Sequence, residues 1–492
     1  MFAKPETGSD NVRPQSVTGG RLCVVGEAEA FGLAPRLRAA GAEVTVLDTT
    51  WQPAADGPSV SNVVRLHDVY APAHPYMPLR SLCVHHWLSR QRFDHVIFCA
   101  PISAAYYATV AQGLGTDHGG TGLWVLAAEC HGRFLQRAAR FPAGRTDIEL
   151  DFLERQAVAR ATGLVVSTAE VGEWMAAAGW TLPARFVLWG VEAPAEALLA
   201  VLEPPAEALL APAAGVRVSV CMPTYNRPDY LREALGSLMA QTCEDFQVVV
   251  VDDGSTDPGV AAVLDELRPV FAARGWTALR QDNAGPAVAR RTARAAATGT
   301  HLLFMDDDNL ALPHEIERFV AASRSGADII ACIPGQHSQC DFGPEPAAFL
   351  DGLDPAQGSV GVDWTPVGAS PALAMLVNCL GDTNSLVRAE VYDALGGHRG
   401  TRDFLHEDYD FFVRAMFAGY RLEVLPEVLF LYRRHDGSRV FGEKLFGSLL
   451  TALDPFLERI PTDMHPLFLM LRHDWHRRHA AVAEQRRALD AP

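Results

Sequence analysis

The sequence has few of the features that mark several broad protein classes. Nine cysteines (Cys23, Cys83, Cys99, Cys130, Cys221, Cys243, Cys332, Cys340 and Cys379) are scattered, and none has a partner at CxxC spacing. That excludes a zinc ribbon or a disulfide framework and fits a reducing cytoplasm. No window approaches the roughly 18 apolar residues of a membrane-crossing helix. Residues 1–20 are polar, with no apolar core of a signal peptide, and are expected to be a disordered tail. Basic charge is scarce: the formal net charge is −17, which argues against a general nucleic-acid binder. The turn from Gly26 through Gly32 lacks GxGxxG, so Asp48 gives little support for a dinucleotide site.

What is present is a soluble composition in 492 residues, 49% hydrophobic and 21% charged, long enough for two or three domains with full cores. The pattern predicts an α/β fold: a Rossmann-like domain over 21–192, a second α/β domain over 216–440, and a helical extension over 441–492. In the first domain, buried strands are read at 21–25, 43–47, 93–99, 123–127, 164–167 and 185–188. Residues 193–215 carry two copies of Pro-Ala-Glu-Ala-Leu-Leu-Ala and read as a linker of short turns broken by proline. Alternation then restarts, with strands at 216–221, 246–251, 276–280 and 301–305 and helices at 227–240, 258–274 and 284–298. A Gly/Pro-rich loop from about Pro334 to Pro371 is long enough to be functional or mobile.

The chemistry-bearing residues follow these strands. Met222-Pro223-Thr224-Tyr225-Asn226-Arg227 is a turn whose N–H groups and Tyr225 can meet a ligand, or simply a turn. Asp252-Asp253-Gly254-Ser255 comes after four valines and suits a charge-assisted bond to a base or a ribose hydroxyl. The competing reading is an Asx-turn capping the next helix, and the ligand role is the favoured one. Asp306-Asp307-Asp308-Asn309 places successive like charges after an apolar strand, costly unless a cation or solvent compensates. Hard oxygens of this kind suit Mg²⁺ or Mn²⁺ together with substrate phosphates. Glu407-Asp408-Tyr409-Asp410 opens an amphipathic segment, where a helix dipole favours acids in any case. Finally, Leu429 to Tyr432 runs into Arg433-Arg434-His435, candidates for diphosphate and metal, or plain surface residues.

Taken in order, these motifs resemble family 2 glycosyltransferases of the GT-A fold. They run from Val-Ser-Val-Cys-Met-Pro-Thr-Tyr-Asn-Arg through Val-Val-Asp-Asp-Gly-Ser-Thr-Asp, Met-Asp-Asp-Asp-Asn and His-Glu-Asp-Tyr-Asp to Tyr-Arg-Arg-His. Gly381-Asp382-Thr383-Asn384-Ser385-Leu386-Val387-Arg388 with Gly396-Gly397 adds to the likeness, which covers about 216–440. The resemblance implies an inverting transferase that uses a nucleotide-diphospho-sugar and Mn²⁺ or Mg²⁺. Pro223, Thr224, Tyr225, Asn226, Asp252 and Asp253 would hold base and ribose. Asn283, Arg290, Glu407 and Arg433 would complete the donor site. Asp306 and Asp308 would be the outer residues of the metal-binding DxD, with Asp308 the direct ligand and His435 a further one. Asp307 leaves that register ambiguous by one position and is grouped with the donor site. Asp408 would be the catalytic base.

Residues 21–192 resemble, more loosely, the first half of a GT-B glycosyltransferase of the family 4 type, carried by Leu164-Val-Val-Ser-Thr-Ala-Glu-Val171 ahead of Gly179. The half that holds the donor in such enzymes is missing, which implies acceptor binding, scaffolding or degeneration. The expected partners are a nucleotide-diphospho-sugar, a glycan or lipid-linked acceptor and, through basic residues between Arg472 and Arg487, the inner face of a membrane. A solvated helix or an oligomer contact accounts for that basic stretch equally well. The alternative function is a catalytically inactive nucleotide-sugar-binding or scaffold protein in glycan assembly.

Overall fold

The computed structural model describes residues 20–50, 62–70, 76–190, 192–202, 215–336, 362, 364–400, 406–433 and 452–473. Arg434, His435 and most of the Gly/Pro-rich loop and of the basic C-terminal stretch lie outside the described residues.

The first half is a parallel sheet of seven strands. Valine, isoleucine and leucine dominate these strands because helices cover both faces. The strands are β1 (Arg21–Gly26), β2 (Glu43–Asp48), β3 (Val63–Arg65), β4 (His95–Phe98), β5 (Gly122–Ala127), β6 (Gly163–Val166) and β7 (Phe186–Leu188), in the order β3-β2-β1-β4-β5-β6-β7. Only β3 goes unread in the sequence, being three residues long. The expected linker is shorter than the repeats suggest. Ala195–Leu199 is a helix whose Leu198 and Leu199 pack with Leu33, Leu37 and Trp189 on the first sheet. The first of the two repeats is therefore part of the first domain's core.

The second half is a mixed sheet of eight strands: β8 (Val218–Thr224), β9 (Phe246–Asp252), β10 (Thr277–Arg280), β11 (His301–Phe304), β12 (Leu310–Ala311), β13 (Ile329–Gly335), β14 (Leu386–Arg388) and β15 (Leu422–Leu431). Their order is β10-β9-β8-β11-β14-β13-β15-β12. The first four are parallel neighbours, and β14 runs antiparallel to both β11 and β13. β8, β9 and β10 are laid down one way from β8 and β11 on its other side, so the strand order reverses between β8 and β11 while the strands stay parallel, the switch point at which an open α/β sheet binds ligands. The expected helix over 258–274 is two helices, Pro258–Glu266 and Arg268–Arg274. Pro269 has no N–H to continue the first and starts the second instead.

The halves share one apolar core. Tyr106, Tyr107, Val110 and Leu114 of the helix Tyr106–Leu114 pack in the same cluster as the second sheet's strands, while Ala108 faces the core of the first. Tyr106 Oη donates to the Val367 carbonyl (2.5 Å) and Tyr107 Oη to that of Pro366 (2.6 Å). Apolar on nearly every side, this helix is a layer between two sheets. Among the described residues no helix is long and apolar enough to cross a membrane.

Candidate active site

β11 ends at Phe304, opposite Cys221, while β8 continues three pairs further along β9 to Thr224. Beyond Cys221 the β11 side of β8 is open, and the acidic segments gather at that gap.

On the β9 side the turns are closely tied together. Asn226, at φ 56°, accepts at Oδ1 from the N–H groups of Thr256 (2.7 Å) and Asp257 (2.9 Å). Asp252 accepts from Ser255 N (2.8 Å) and pairs with Arg280. Asp253 accepts from Gln281 Nε2 (2.7 Å), Ala284 N (2.9 Å) and Gly285 N (2.8 Å). Both carboxylates are buried and bound by the protein itself, so the Asx-turn role is occupied at this position. Asn283 lies against Gly254, where a Cβ would come within 2.7 Å of the Asn283 N. Its buried Oδ1 has no partner among the described residues. Pro223 is buried in β8, and the Tyr225 side chain is half-buried at its end.

The aspartate triple divides by orientation. Asp307 turns inward, accepting from Thr224 Oγ1 (2.7 Å) and Arg227 Nη1 (3.2 Å), so the Thr224 hydroxyl expected at the base is committed to Asp307. Asp306 and Asp308 turn outward, with side chains 33% and 16% exposed. Asp308 meets Arg227 Nη1 at 2.6 Å. Arg290, 2% exposed, bridges Asp306 (Nη2, 2.5 Å) and Glu407 (Nη1, 2.9 Å), which joins the helix Pro286–Ala296 to the start of the helix Glu407–Phe417.

The charge balance of the crevice is acidic. Burial, with Asp308 beside it, pushes Asp307 up to about 7 against the pull of Arg227. Burial pushes Asp408 up to about 7 as well, with Glu407 and Asp306 adding to it. Asp382, just before β14, is pushed up to about 7 by burial and then by Asp408 and Asp306. Arg290 partly opposes the rise at Asp382 and Asp408. An excess of buried carboxylates in one cleft is what a cation relieves.

Arg433 departs from its expected role. Its guanidinium pairs with Glu233, donates from Nε to the Asp308 carbonyl (3.0 Å), and lies 4.4 Å over the Tyr230 ring. It is 3% exposed and buttresses the Asp308 turn from behind, so a diphosphate would have to displace Glu233 to reach it. Among the described residues no three His, Cys, Asp or Glu side chains form a ligating cluster. Sequence reading assigned no role to Arg227, Arg280, Glu233, Asp382 or Tyr432. Arg227, Arg280 and Glu233 have partners tens of positions away, beyond the reach of any local pattern, and Asp382 and Tyr432 are single polar residues set beside the Asp306 turn only by the sheet.

Residues 219–363 match the family model described as Glycosyl transferase family 2. An uncharacterized glycosyltransferase of Nostoc sp., alr2836, is 35% identical over 112 residues, 21% of this chain and 32% of that one. The succinoglycan biosynthesis protein ExoW of Rhizobium meliloti is 36% identical over 118 residues, 23% of this chain and 36% of that one. The chain spans about a third or less of the first curated relatives it matches. Among solved structures, S. aureus TarS 1–349 in complex with UDP-GlcNAc aligns with a TM-score of 0.40 at 19% identity, over 53% of this chain and 72% of that one.

Proposed function

We propose that this chain, whose residues 219–363 are a family 2 glycosyltransferase domain, moves a sugar from a nucleotide-diphospho-sugar to a hydroxyl of a glycan or lipid-linked acceptor with inversion. The observation that carries this reading is the gap past β11, where Asp252 and Asp253 and Asp306 to Asp308 stand at the carboxyl ends of the parallel strands and Arg290 ties Asp306 to Glu407, next to Asp408. The name of the ExoW relative supports a polysaccharide product.

Asp408 is the proposed base. A carboxylate near 7 is half ionised at neutral pH and takes a proton more readily than an ordinary one. The acceptor oxygen attacks the anomeric carbon as its proton passes to Asp408, and the bond from that carbon to the diphosphate oxygen breaks. Asp306 and Asp308 fit Mn²⁺ or Mg²⁺: they are the outward carboxylates of an over-acidic cleft, and such ions take one or two carboxylates plus substrate phosphates. When bound, the cation would offset the charge of the leaving diphosphate. Arg290 fixes the spacing of Asp306 and Glu407, and Arg227 holds Asp307 and Asp308 in one turn.

The test is a screen of nucleotide sugars with Mn²⁺ and Mg²⁺ for nucleotide release. Wild type is expected to release nucleotide and Asp408→Asn to release little. Tight, metal-dependent donor binding with no turnover would instead favour the inactive scaffold. We place the chain in the cytoplasm with peripheral contact to anionic lipid. Support comes from residues 465–473, a helix that turns Leu467, Met470 and Leu471 outward ahead of Arg477, Arg478, Arg486 and Arg487. Full-length protein should sediment with anionic vesicles and not with neutral ones.

A further inference from the structure

Two polar side chains without a role in that scheme stand on one flank of the crevice. Along the sheet the order β9-β8-β11-β14-β13-β15 puts the Asp252 turn at one end, with the ends of β14 and β15 beyond Asp306 at the other. Asp382 lies on this second flank. Leu386 of β14 pairs with Leu303, and the Ser385 carbonyl accepts from Phe304 N (3.4 Å), which sets residues 382–385 beside the turn into Asp306. Gly381 lets the loop close down, since a Cβ there would lie 2.6 Å from Ala331 Cβ on β13. Asp382 Oδ1 accepts from Asn384 N (2.9 Å), and among the described residues Oδ2 has no hydrogen bond.

Tyr432 approaches the same Asp306–Asn309 turn from β15. Leu431 pairs with Leu310, Tyr432 N donates to the Gly335 carbonyl (2.7 Å), and Arg433 N donates to Asn309 Oδ1 (3.4 Å). These contacts pin Tyr432 against the Asp306–Asn309 turn. Its side chain is half-buried, and its hydroxyl has no partner among the described residues. A phenol ordinarily titrates at about 10 and carries its proton at neutral pH. It is therefore a lasting hydrogen-bond donor.

We propose that Asp382 and Tyr432 form the acceptor side of the crevice and read one neutral sugar hydroxyl, the phenol donating to it and the carboxylate accepting from it. The assignment rests on the glycosyl-transfer reading and adds a substrate class to it. A hydroxyl is both donor and acceptor and satisfies both side chains at once. A phosphate or uronate at that position would meet Asp382 and Asp408 as like charges. Arg290, whose charge reaches both carboxylates, is already engaged by Asp306 and Glu407.

The experiment uses the full chain on an array of neutral, sulfated and phosphorylated saccharides with nucleoside diphosphate and Mn²⁺, alongside calorimetric titration with nucleotide sugars. Wild type should be retained on neutral saccharides. Tyr432→Phe and Asp382→Asn should each weaken saccharide binding about 10-fold or more, with nucleotide-sugar Kd within about twofold of wild type, the size expected of one lost hydrogen bond to a charged or buried partner. Loss of donor affinity in step with acceptor affinity overturns the assignment. So does unchanged saccharide binding in both variants, a wild-type preference for phosphorylated saccharides, or a wild type that holds no saccharide. If one variant fails to fold, the other decides. A chain that binds no nucleotide sugar fails the broader glycosyl-transfer reading. A chain that binds donor normally while its variants keep their acceptor fails only the present one.

Discussion

Asp408 sits at the N-terminal end of the helix Glu407–Phe417, where a dipole would ordinarily favour its charge. Burial and the neighbouring Glu407 outweigh that and hold it up to about 7. Because the base must be ionised, turnover should rise between about pH 6 and pH 8 and level off above, as a pH profile of kcat/KM would reveal. Asp408→Asn should lower kcat by about 10² to 10⁴ with little change in donor Kd. Two other acids act on stability. Glu154 accepts from His131 N (2.7 Å) and Glu315 is bonded by Asn384, and burial pushes each up to about 8 from the ordinary 4.5. The folded chain keeps protons that the unfolded chain has released between about 4.5 and 8. Stability from these groups is therefore greatest at the acid end of that window and falls as pH rises, by up to about 1.4 kcal/mol per pH unit for each. Urea midpoints measured across the window should fall with pH, less steeply in Glu154→Gln and Glu315→Gln. At this scale the acidic strings were legible, because runs of aspartate after apolar strands stand out. Glu154 and Glu315 were not, since a lone glutamate in a helical stretch looks like surface.

Among the elements, the buried parallel strands were the plainest in the sequence: β1, β2, β8, β9 and β11 are nearly continuous apolar runs between turn residues. β12 and β14 are two and three residues long and exist through their partners, Leu310 against Leu431 and Leu386 against Leu303. A pattern needs more residues than that to show. β13, although buried throughout, runs into the Pro334 that had marked a loop. Cross-strand fit is also invisible in one dimension. Trp124 on β5 faces Gly163 on β6, and a Cβ on Gly163 would lie 2.3 Å from the indole. Gly163→Ala should cost about 1–3 kcal/mol as the indole is forced aside, seen as a lowered Tm with the near-UV signal of tryptophan altered.

For the molecule as a whole, two βα patterns separated by Pro-rich sequence suggested independent domains. The shared core around the helix Tyr106–Leu114 joins them instead. Heating should give one calorimetric transition, and residues 216–492 expressed alone should aggregate, checked by size-exclusion chromatography. Tyr107→Phe removes the donor to the Pro366 carbonyl and should lower stability by about 1 kcal/mol without separating the halves. Sequence could not show this, because apolar positions do not reveal which of two cores they enter.

That helix also sets a schedule for synthesis. It leaves the ribosome with the first sheet, but the strand it packs against, β15, ends at Leu431. At roughly 5–20 residues per second, the intervening 300 or so residues take on the order of 15–60 s to emerge. Throughout that interval Tyr106, Tyr107, Val110 and Leu114 are covered only by first-half residues such as Leu82, Phe152 and Leu153 and lack the cover of the second sheet, so the nascent chain is a natural client for chaperones that hold apolar segments. Yield on expression should therefore respond to chaperone supply and translation speed more than to the stability of the finished protein.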